Sequence, residues 1–305
     1  MQIYPLKLVP DNTQIDFIKL AKYAFIISLM AMALGCGFIF TKGFNFGIDF
    51  IGGTQLEIRA DKFISLNQVR KVMEDLNLGE ISLQSQGQDE NSTEILIKIA
   101  SPNHKTESHL DIVKSTLSNV FPNHKFEYLS VSFIGPQVNA YLIKSGIKAV
   151  VLSILGIFLY IWLRFKLSFG LGILVTLLHN LIMCFGFMSI SGLDFNQSTV
   201  AALLIIIGYC VNDSIVIYDK ILNNAKQLKF LNRETINLSI NRTLSRTILT
   251  SLTTLLANLA LIIFGGKTIF SFSLLVFIGI LIGTYTSIIF SGPVVLYLSN
   301  KKLKI

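Results

Sequence analysis

The run Thr199-Val-Ala-Ala-Leu-Leu-Ile-Ile-Ile-Gly-Tyr-Cys-Val ends on Asn212 and Asp213, a polar pair closing a long apolar stretch. A carboxylate at the centre of a membrane helix costs about 2.5–3.5 kcal/mol on insertion scales, so it needs a partner or a task. The chemistry open to it is proton exchange. Desolvation favours the neutral acid and a nearby cation favours the carboxylate, so shifting the balance between them would load and release a proton. Partners follow later in the chain, where Arg246, Thr250, Thr253 or Thr254, and Asn258 recur at spacings of three or four. Such spacing makes one polar stripe on a helix. The same residues admit a static reading, in which Asp213 and Arg246 form a permanent ion pair and the Thr/Asn stripe is interhelical glue. His179 and Asn180 add a polar pair to another apolar run. There a hydrogen-bonded core histidine is the plainer reading.

Other chemistries lack their residues. An intramembrane aspartyl protease needs a second membrane Asp, and Asp213 is the one acidic residue inside the apolar runs. No Ser elbow, metal-spaced His pair or phosphate loop is present. Cys36, Cys184 and Cys210 all sit in apolar runs without metal-ligand spacing, which suits buried thiols rather than a disulfide framework. The expectation is a protein that is not an enzyme and binds no metal or cofactor.

The elements that must position Asp213 are membrane helices. Hydrophobic residues make up 52% of the 305 and charged residues 14%, against roughly 25% charged in ordinary soluble domains. Apolar runs at about 20–40, 143–163, 169–190, 198–218, 247–264 and 269–298 are each near the ~20 residues that cross a hydrocarbon layer. The first run follows Lys19 and Lys22 but outlasts a signal-peptide core, so it reads as an uncleaved span. Lys and Arg cluster in the arm 1–19 and in the second–third and fourth–fifth connections. They cluster again in the tail 299–305, with Lys301, Lys302 and Lys304. The bias of basic residues toward the cytoplasm then puts both termini inside. Outside this membrane part, from Lys42 to Val138, nine basic residues face twelve acidic ones, so the net charge of +8 belongs to the span-flanking segments. That pattern reads as membrane orientation, not as a nucleic-acid surface. The fourth span runs inward, and Asp213 lies roughly 22 Å down it at 1.5 Å per residue. Arg246 enters the fifth span from the same side. Lys144 and Lys148 fall at the outer end of the second span, where they either reach the headgroups or mark a helix projecting past the bilayer.

Residues 41–138 form a separate outer unit. Thr54–Arg59 alternates as a half-buried strand does. Leu66, Val69, Val72, Met73 and Leu76 follow helical spacing with Ser65 as N-cap. Glu80–Gln84 and Thr93–Ala100 read as strands split by a polar, Gly-containing turn. Thr106–Val120 reads as a helix with Leu110, Val113 and Leu117 on one face, and Phe126–Phe133 as a last strand. The order β-α-β-β-α-β is that of the ferredoxin-like split unit. The predicted class is thus a polytopic α-helical membrane protein of six transmembrane helices, with an α+β ferredoxin-like domain after the first and residues 139–298 holding the other five.

Several segments resemble a known family. Phe46-Gly-Ile-Asp-Phe-Ile-Gly-Gly53 resembles the Gly-x-Asp-Phe-x-Gly-Gly signature that follows the first span in the SecD/SecF family, and its Ile48-Asp49-Phe50 form is similar to the SecF branch. Ile134-Gly-Pro-Gln-Val138 resembles the lead into the second span, Gly208–Lys220 the fourth-span motif, and Ser245-Arg-Thr-Ile-Leu-Thr-Ser251 the start of the fifth. Gly265-Gly266 and Gly283-Thr284 match as well. The resemblance implies a half of a twelve-span assembly of the resistance-nodulation-division superfamily, with SecD as the other half. It implies an accessory factor of the Sec pathway in the bacterial inner membrane, with a periplasmic domain. Such a factor uses the proton-motive force to draw preproteins outward, with SecYEG and YajC as further partners. Asp213 and Arg246 fall on the family's proton-coupling positions. Thr247 and Asn212 fall on supporting ones, beside Thr250, Thr254, Asn258 and His179. Gly47, Asp49, Gly52 and Gly53 read as a hinge or turn where the chain leaves the bilayer. The chain departs from the family in having His179-Asn180 where His-Asp is usual, Ile51 for Thr, and Asp219-Lys-Ile-Leu-Asn-Asn224 for a more charged run. Two alternatives stand beside the motor: a non-transporting scaffold for SecD and the translocon, and half of a small-molecule exporter.

Overall fold

The computed structural model describes residue 10 and residues 13–299, apart from 48–49, 51, 77, 79, 90–91, 101–105, 135 and 229–230. Six of its helices are long and apolar enough to cross a membrane. They are α1 (Phe17–Lys42), α4 (Pro136–Arg164), α5 (Leu167–Ser191), α6 (Gln197–Leu228), α7 (Arg233–Phe264) and α8 (Gly266–Ile289). A short α9 (Ser291–Leu298) follows. The spans run well past the apolar stretches that announce them. α6 continues ten residues beyond the apolar run, through Asp219 to Leu228, and α7 begins fourteen residues before its own at Arg233. The polar fourth–fifth connection is therefore mostly a helical hairpin. Asn224 Nδ2 donates to Ser239 Oγ at 2.8 Å and Arg242 Nη1 donates to Asn224 Oδ1 at 3.2 Å, so the extensions pack through polar contacts that an apolar pattern does not register. The last apolar stretch, in contrast, is broken at Phe290. Pro293 offers no N–H and its ring crowds the carbonyl four residues back, so the helix stops at Ile289 and restarts with Pro293 in its first turn.

Local chemistry fixes the helix ends. Asp16 accepts from Lys19 N–H at 3.2 Å and caps α1, while Asn232 accepts from Thr235 N–H at 2.9 Å and caps α7. Asn196 and Thr199 exchange bonds at the start of α6: the Asn196 N–H donates to Thr199 Oγ1 at 2.9 Å and the Thr199 N–H to Asn196 Oδ1 at 3.0 Å. This is a reciprocal capping box. α5 ends on Gly192 at φ 68°.

The helices α5, α6 and α8 bury most, and α1, α4 and α7 lie against them. On α6 the inward stripe is Ala202, Ile206, Cys210, Asp213, Ile217 and Ile221, at spacings of three and four, so Asp213 occupies a core position. α8 comes closest to α6 at Gly279-Ile-Leu-Ile-Gly283. A Cβ on Gly279 would run into Ile206, and one on Gly283 into Cys210 Sγ. This is the small-xxx-small solution for bringing two membrane helices together.

A second core belongs to the unit after α1. Strands β2 (Gly53–Ala60), β3 (Glu80–Asp89), β4 (Ser92–Ala100) and β5 (Phe126–Ile134) form an antiparallel sheet in the order β3-β4-β2-β5. The helices α2 (Leu66–Glu74) and α3 (Thr106–Val120) cover one face. Leu56, Ile58, Ile95, Ile97 and Ile99 meet Val69, Met73, Val113 and Leu117 there. Two local expectations change. Ser65 precedes α2 but its side chain makes no capping bond. The polar stretch after Gln84 is strand rather than turn, because pairing with β4 carries it to Asp89 across a register shift between Ser85 and Gly87.

The sheet is fastened to the bundle. Strand β1 (Asn45–Phe46) pairs in parallel with β6 (Asp194–Phe195) between α5 and α6. Lys98 on β4 forms an ion pair with Asp194, which also accepts from Asn45 Nδ2 at 2.8 Å. Gly47 donates its N–H to the Phe195 carbonyl at 2.9 Å, and a Cβ on Gly47 would meet Asn196 Cβ at 3.0 Å. Gly52 and Gly53 have φ of 81° and 145°, in the region that favours glycine. Asp49 lies outside the described residues.

Candidate functional site

Asp213 is 3% exposed on the inner face of α6. Its nearest polar partner is not Arg246. Ser251, on the buried face of α7, holds Oγ 3.5 Å from Asp213 Oδ2, at the far limit of a hydrogen bond. The same hydroxyl lies 2.8 Å from the Thr247 carbonyl. Thr284 on α8 donates Oγ1 to Ser251 Oγ at 2.8 Å and lies 2.8 Å from the Ile280 carbonyl. The carboxyl therefore sits where α6, α7 and α8 meet, facing a chain of hydroxyls.

Arg246 is exposed. Ion pairs among the described residues join Arg59 to Glu94 and Glu127, Lys98 to Asp194, and Arg233 to Asp16, and the Arg246 guanidinium is in none of them. No ion pair joins it to Asp213 among the described residues. A static contact pair, one of the two sequence readings, is thus not the geometry found. Asn212, expected as a support, is exposed and makes no side-chain hydrogen bond among the described residues. One residue on a helix is a turn of about 100°, which takes it off the face that buries Asp213.

The fifth-span stripe is rotated from its predicted phase. The buried residues of α7 in the bilayer are Thr247, Ser251 and Asn258, with Thr254 half-buried. Arg246, Thr250 and Thr253 are exposed, and both threonines bond to carbonyls of their own helix. Asn258 is buried as expected, but its Oδ1 finds no hydrogen-bond partner in the structure. Sequence reasoning missed Ser251 and the role of Thr284. The signal for Ser251 was a hydroxyl four residues after Thr247; the signal for Thr284 was its place next to Gly283.

The third-span pair forms its own cluster. Thr286 Oγ1 is 2.7 Å from Asn180 Oδ1 and 3.3 Å from His179 Nδ1, and the His179 ring stacks on Phe290 at 4.9 Å. His179 is 4% exposed and its Nε2 has no partner. The Asn180 amide reaches toward Gly283 and Cys210, a turn from Asp213, so the two clusters adjoin at the α6–α8 contact.

With this geometry in place, the chain can be set beside known proteins. Residues 112–301 match the protein-export membrane protein SecD/SecF C-terminal family, and residues 37–62 match the SecD/SecF GG motif. The chain is 48% identical over 306 residues to protein translocase subunit SecF of Rickettsia bellii (strain OSU 85-389), covering all of both chains. The chain belongs to the SecD/SecF family. It is also 48% identical over 304 residues to the SecF of Rickettsia prowazekii (strain Madrid E), covering 99% of this chain and 96% of that one. Among solved structures it is similar to SecDF from Thermus thermophilus, a translocon-associated membrane protein, with TM-score 0.81 and 34% identity over 94% of this chain and 39% of that one. SecDF in a super-membrane-facing form gives TM-score 0.71 at 35% identity, over 97% and 40%. This SecD/SecF-family chain spans about two-fifths of those SecDF chains. Its GG motif is the Gly52-Gly53 turn into β2, and the C-terminal family region holds Asp213, Ser251 and Thr284 together.

Proposed function

We propose that this chain is the SecF subunit of the Sec export machinery. It works with SecD to convert proton flow into preprotein movement across the inner membrane, and it catalyses no covalent chemistry. Both termini lie in the cytoplasm, the ferredoxin-like domain lies in the periplasm, and SecYEG and YajC are neighbours in the assembly. Asp213 is the proton carrier and Arg246 the cation that biases it.

One observation carries the reading. Asp213 is buried, while Asn212, Arg246, Thr250 and Thr253, on the same two spanning helices, are exposed. Polar and charged groups do not face lipid without cost, so this face is built to be covered by another membrane protein. A site whose carboxyl lies inside one half and whose cation lies on the joint with the other half responds to relative movement of the two. That is what coupling to a proton gradient requires.

The test is Asp213→Asn in the complete SecD-containing complex, assayed for preprotein export under an imposed proton gradient. The variant should assemble with SecD and lose the gradient-dependent part of export. Normal export would overturn the coupling role. The same exposed face also suits a scaffold that only stabilises SecD and the translocon. In that case Asp213→Asn would lower co-purification with SecD and leave gradient dependence intact.

A further inference from the structure

We infer that Ser251 and Thr284 form a switchable hydroxyl chain that reads the charge of Asp213 and reports it to α8. The inference rests on the reading of Asp213 as a proton carrier and names the residues through which its state reaches the rest of the bundle.

A hydroxyl has one hydrogen to donate and two lone pairs to accept. Ser251 Oγ has two acceptors in reach, the Thr247 carbonyl at 2.8 Å and Asp213 Oδ2 at 3.5 Å. Thr284 Oγ1 also has two, Ser251 Oγ and the Ile280 carbonyl, both at 2.8 Å. Neither hydroxyl can serve both acceptors at once. With Asp213 ionised, Ser251 turns its proton to the carboxylate, because a bond to a charged acceptor is roughly twice as strong as a neutral one. Donating it makes Ser251 a better acceptor, which draws the Thr284 proton away from Ile280. With Asp213 protonated, the acid donates to Ser251 Oγ. Ser251 then gives its proton to the Thr247 carbonyl; with one lone pair taken and only a neutral acceptor for its own proton, it is the poorer acceptor, so the Thr284 proton shifts toward Ile280. Each state satisfies every donor, and no proton is created or lost in passing between them apart from the one on Asp213.

The link to α8 follows from packing. Thr284 adjoins Gly283, whose missing side chain lets α8 lie against Cys210 on α6. In the ionised state Thr284 is bonded across to α7; in the neutral state its hydroxyl is spent within its own helix. The α7–α8 contact therefore gains and loses an interhelical bond with the charge of Asp213. Among the described residues, α7 carries the charged Arg246 close in sequence to Ser251, α6 carries the Cys210 thiol one turn from Asp213, and α8 brings the Thr284 hydroxyl to Ser251. Ser251 and Thr284 are positioning residues; neither carries the proton across.

Infrared difference spectroscopy on the full-length chain in lipid bilayers tests this, comparing acidic with neutral buffer. The Asp213 carboxyl band is the one that Asp213→Asn removes. In Ser251→Ala its protonated C=O stretch should move to higher wavenumber, since the acid has lost its hydrogen-bond partner, while Ser251→Thr should keep the parent position. Thr284→Val should shift the ionised carboxylate band and leave the protonated one in place, and Thr284→Ser should restore both. In the SecD-containing complex, gradient-driven export by Thr284→Val should fall by about two- to tenfold, the scale of one lost neutral hydrogen bond. If Asp213 shows a titrating band that neither Ser251→Ala nor Thr284→Val moves, the hydroxyl chain is overturned and the proton-carrying role stands. If no band depends on Asp213, the proton-carrying role falls and the chain falls with it.

Discussion

At Asp213 the buried carboxyl faces a hydroxyl, Ser251, itself bonded by Thr284, rather than a contact ion pair. A contact pair in hydrocarbon would hold the carboxylate fixed, whereas hydroxyls accept either protonation state. The arrangement depends on how closely α8 approaches α6. Gly283→Ala places a methyl against Cys210 Sγ, an overpacking that costs about 1–3 kcal/mol. Adding Cys210→Ala removes the clashing sulfur, so the double variant should recover at least half of that loss. Thermal unfolding of the four proteins of this cycle in detergent checks it, and strictly additive losses would mean the two residues do not meet. Asp213 as the candidate was legible in the sequence, because one acid in six apolar runs stands out, and the structure buries it. Its partners were not. α7 carries polar groups on two faces, Thr247-Ser251-Asn258 and Arg246-Thr250-Thr253. Spacing alone gives two equally regular stripes and no way to choose the inward one. The structure buries the first, with Ser251 facing Asp213, and leaves the second exposed.

Between elements, the strongest polar contacts lie at the ends of the bundle. On the cytoplasmic side of the proposed topology, Asn241 Oδ1 accepts from the Ile15 N–H at 3.0 Å and its Nδ2 donates to the Ile15 carbonyl at 2.8 Å. Asp16 forms an ion pair with Arg233 and accepts from Asn237 Nδ2 at 2.8 Å. The stretch leading into α1 is thus clamped to the start of α7. The bond from Arg233, followed by that from Asn237, holds the Asp16 carboxyl well below its ordinary range, at about 2. A group whose folded value is depressed adds stability above its unfolded value, and that contribution is lost as pH falls through the folded one. The clamp should therefore hold from neutral pH to about 4 and open as pH approaches 2. The distance between spin labels on the exposed side chains of Ile15 and Leu238 in liposomes should stay constant down to pH 4 and lengthen below it. Asp16→Asn should give the longer distance at every pH. Opening between pH 5 and 6 in the parent would rule out Asp16 as the controlling group. No apolar periodicity announces such a clamp, since its residues are polar, far apart in sequence and paired only once α1 and α7 stand side by side. The sheet of the outer unit was easier to read, because Leu56, Ile58, Val69, Met73, Val113 and Leu117 alternate or recur at the period of their own elements.

At the scale of the molecule, the exposed surface has two characters. α4 presents Leu152, Leu155, Leu159 and Leu163, as a helix against lipid should, while α6 and α7 present Asn212, Arg246, Thr250 and Thr253 at the depth of an ionisable site. The chain spans about two-fifths of the length of the SecDF chains that it resembles. An exposed Arg at the entry of a span is better placed against a polar groove in another bundle than against lipid. We therefore predict that the α6–α7 face meets SecD and that α4 faces lipid. A single cysteine at Asn212, in a chain freed of its native cysteines, should cross-link in membranes to cysteines scanned along the spanning helices of SecD. A cysteine at Leu159 should cross-link to none of them and should react with a lipid-soluble maleimide at the same rate whether SecD is present or absent. At Asn212 that reaction should slow by about tenfold when SecD is co-expressed, as expected for a position moved from lipid into a packed interface. The reverse pattern, protection at Leu159 and free labelling at Asn212, would place the joint on α4 and overturn the α6–α7 assignment.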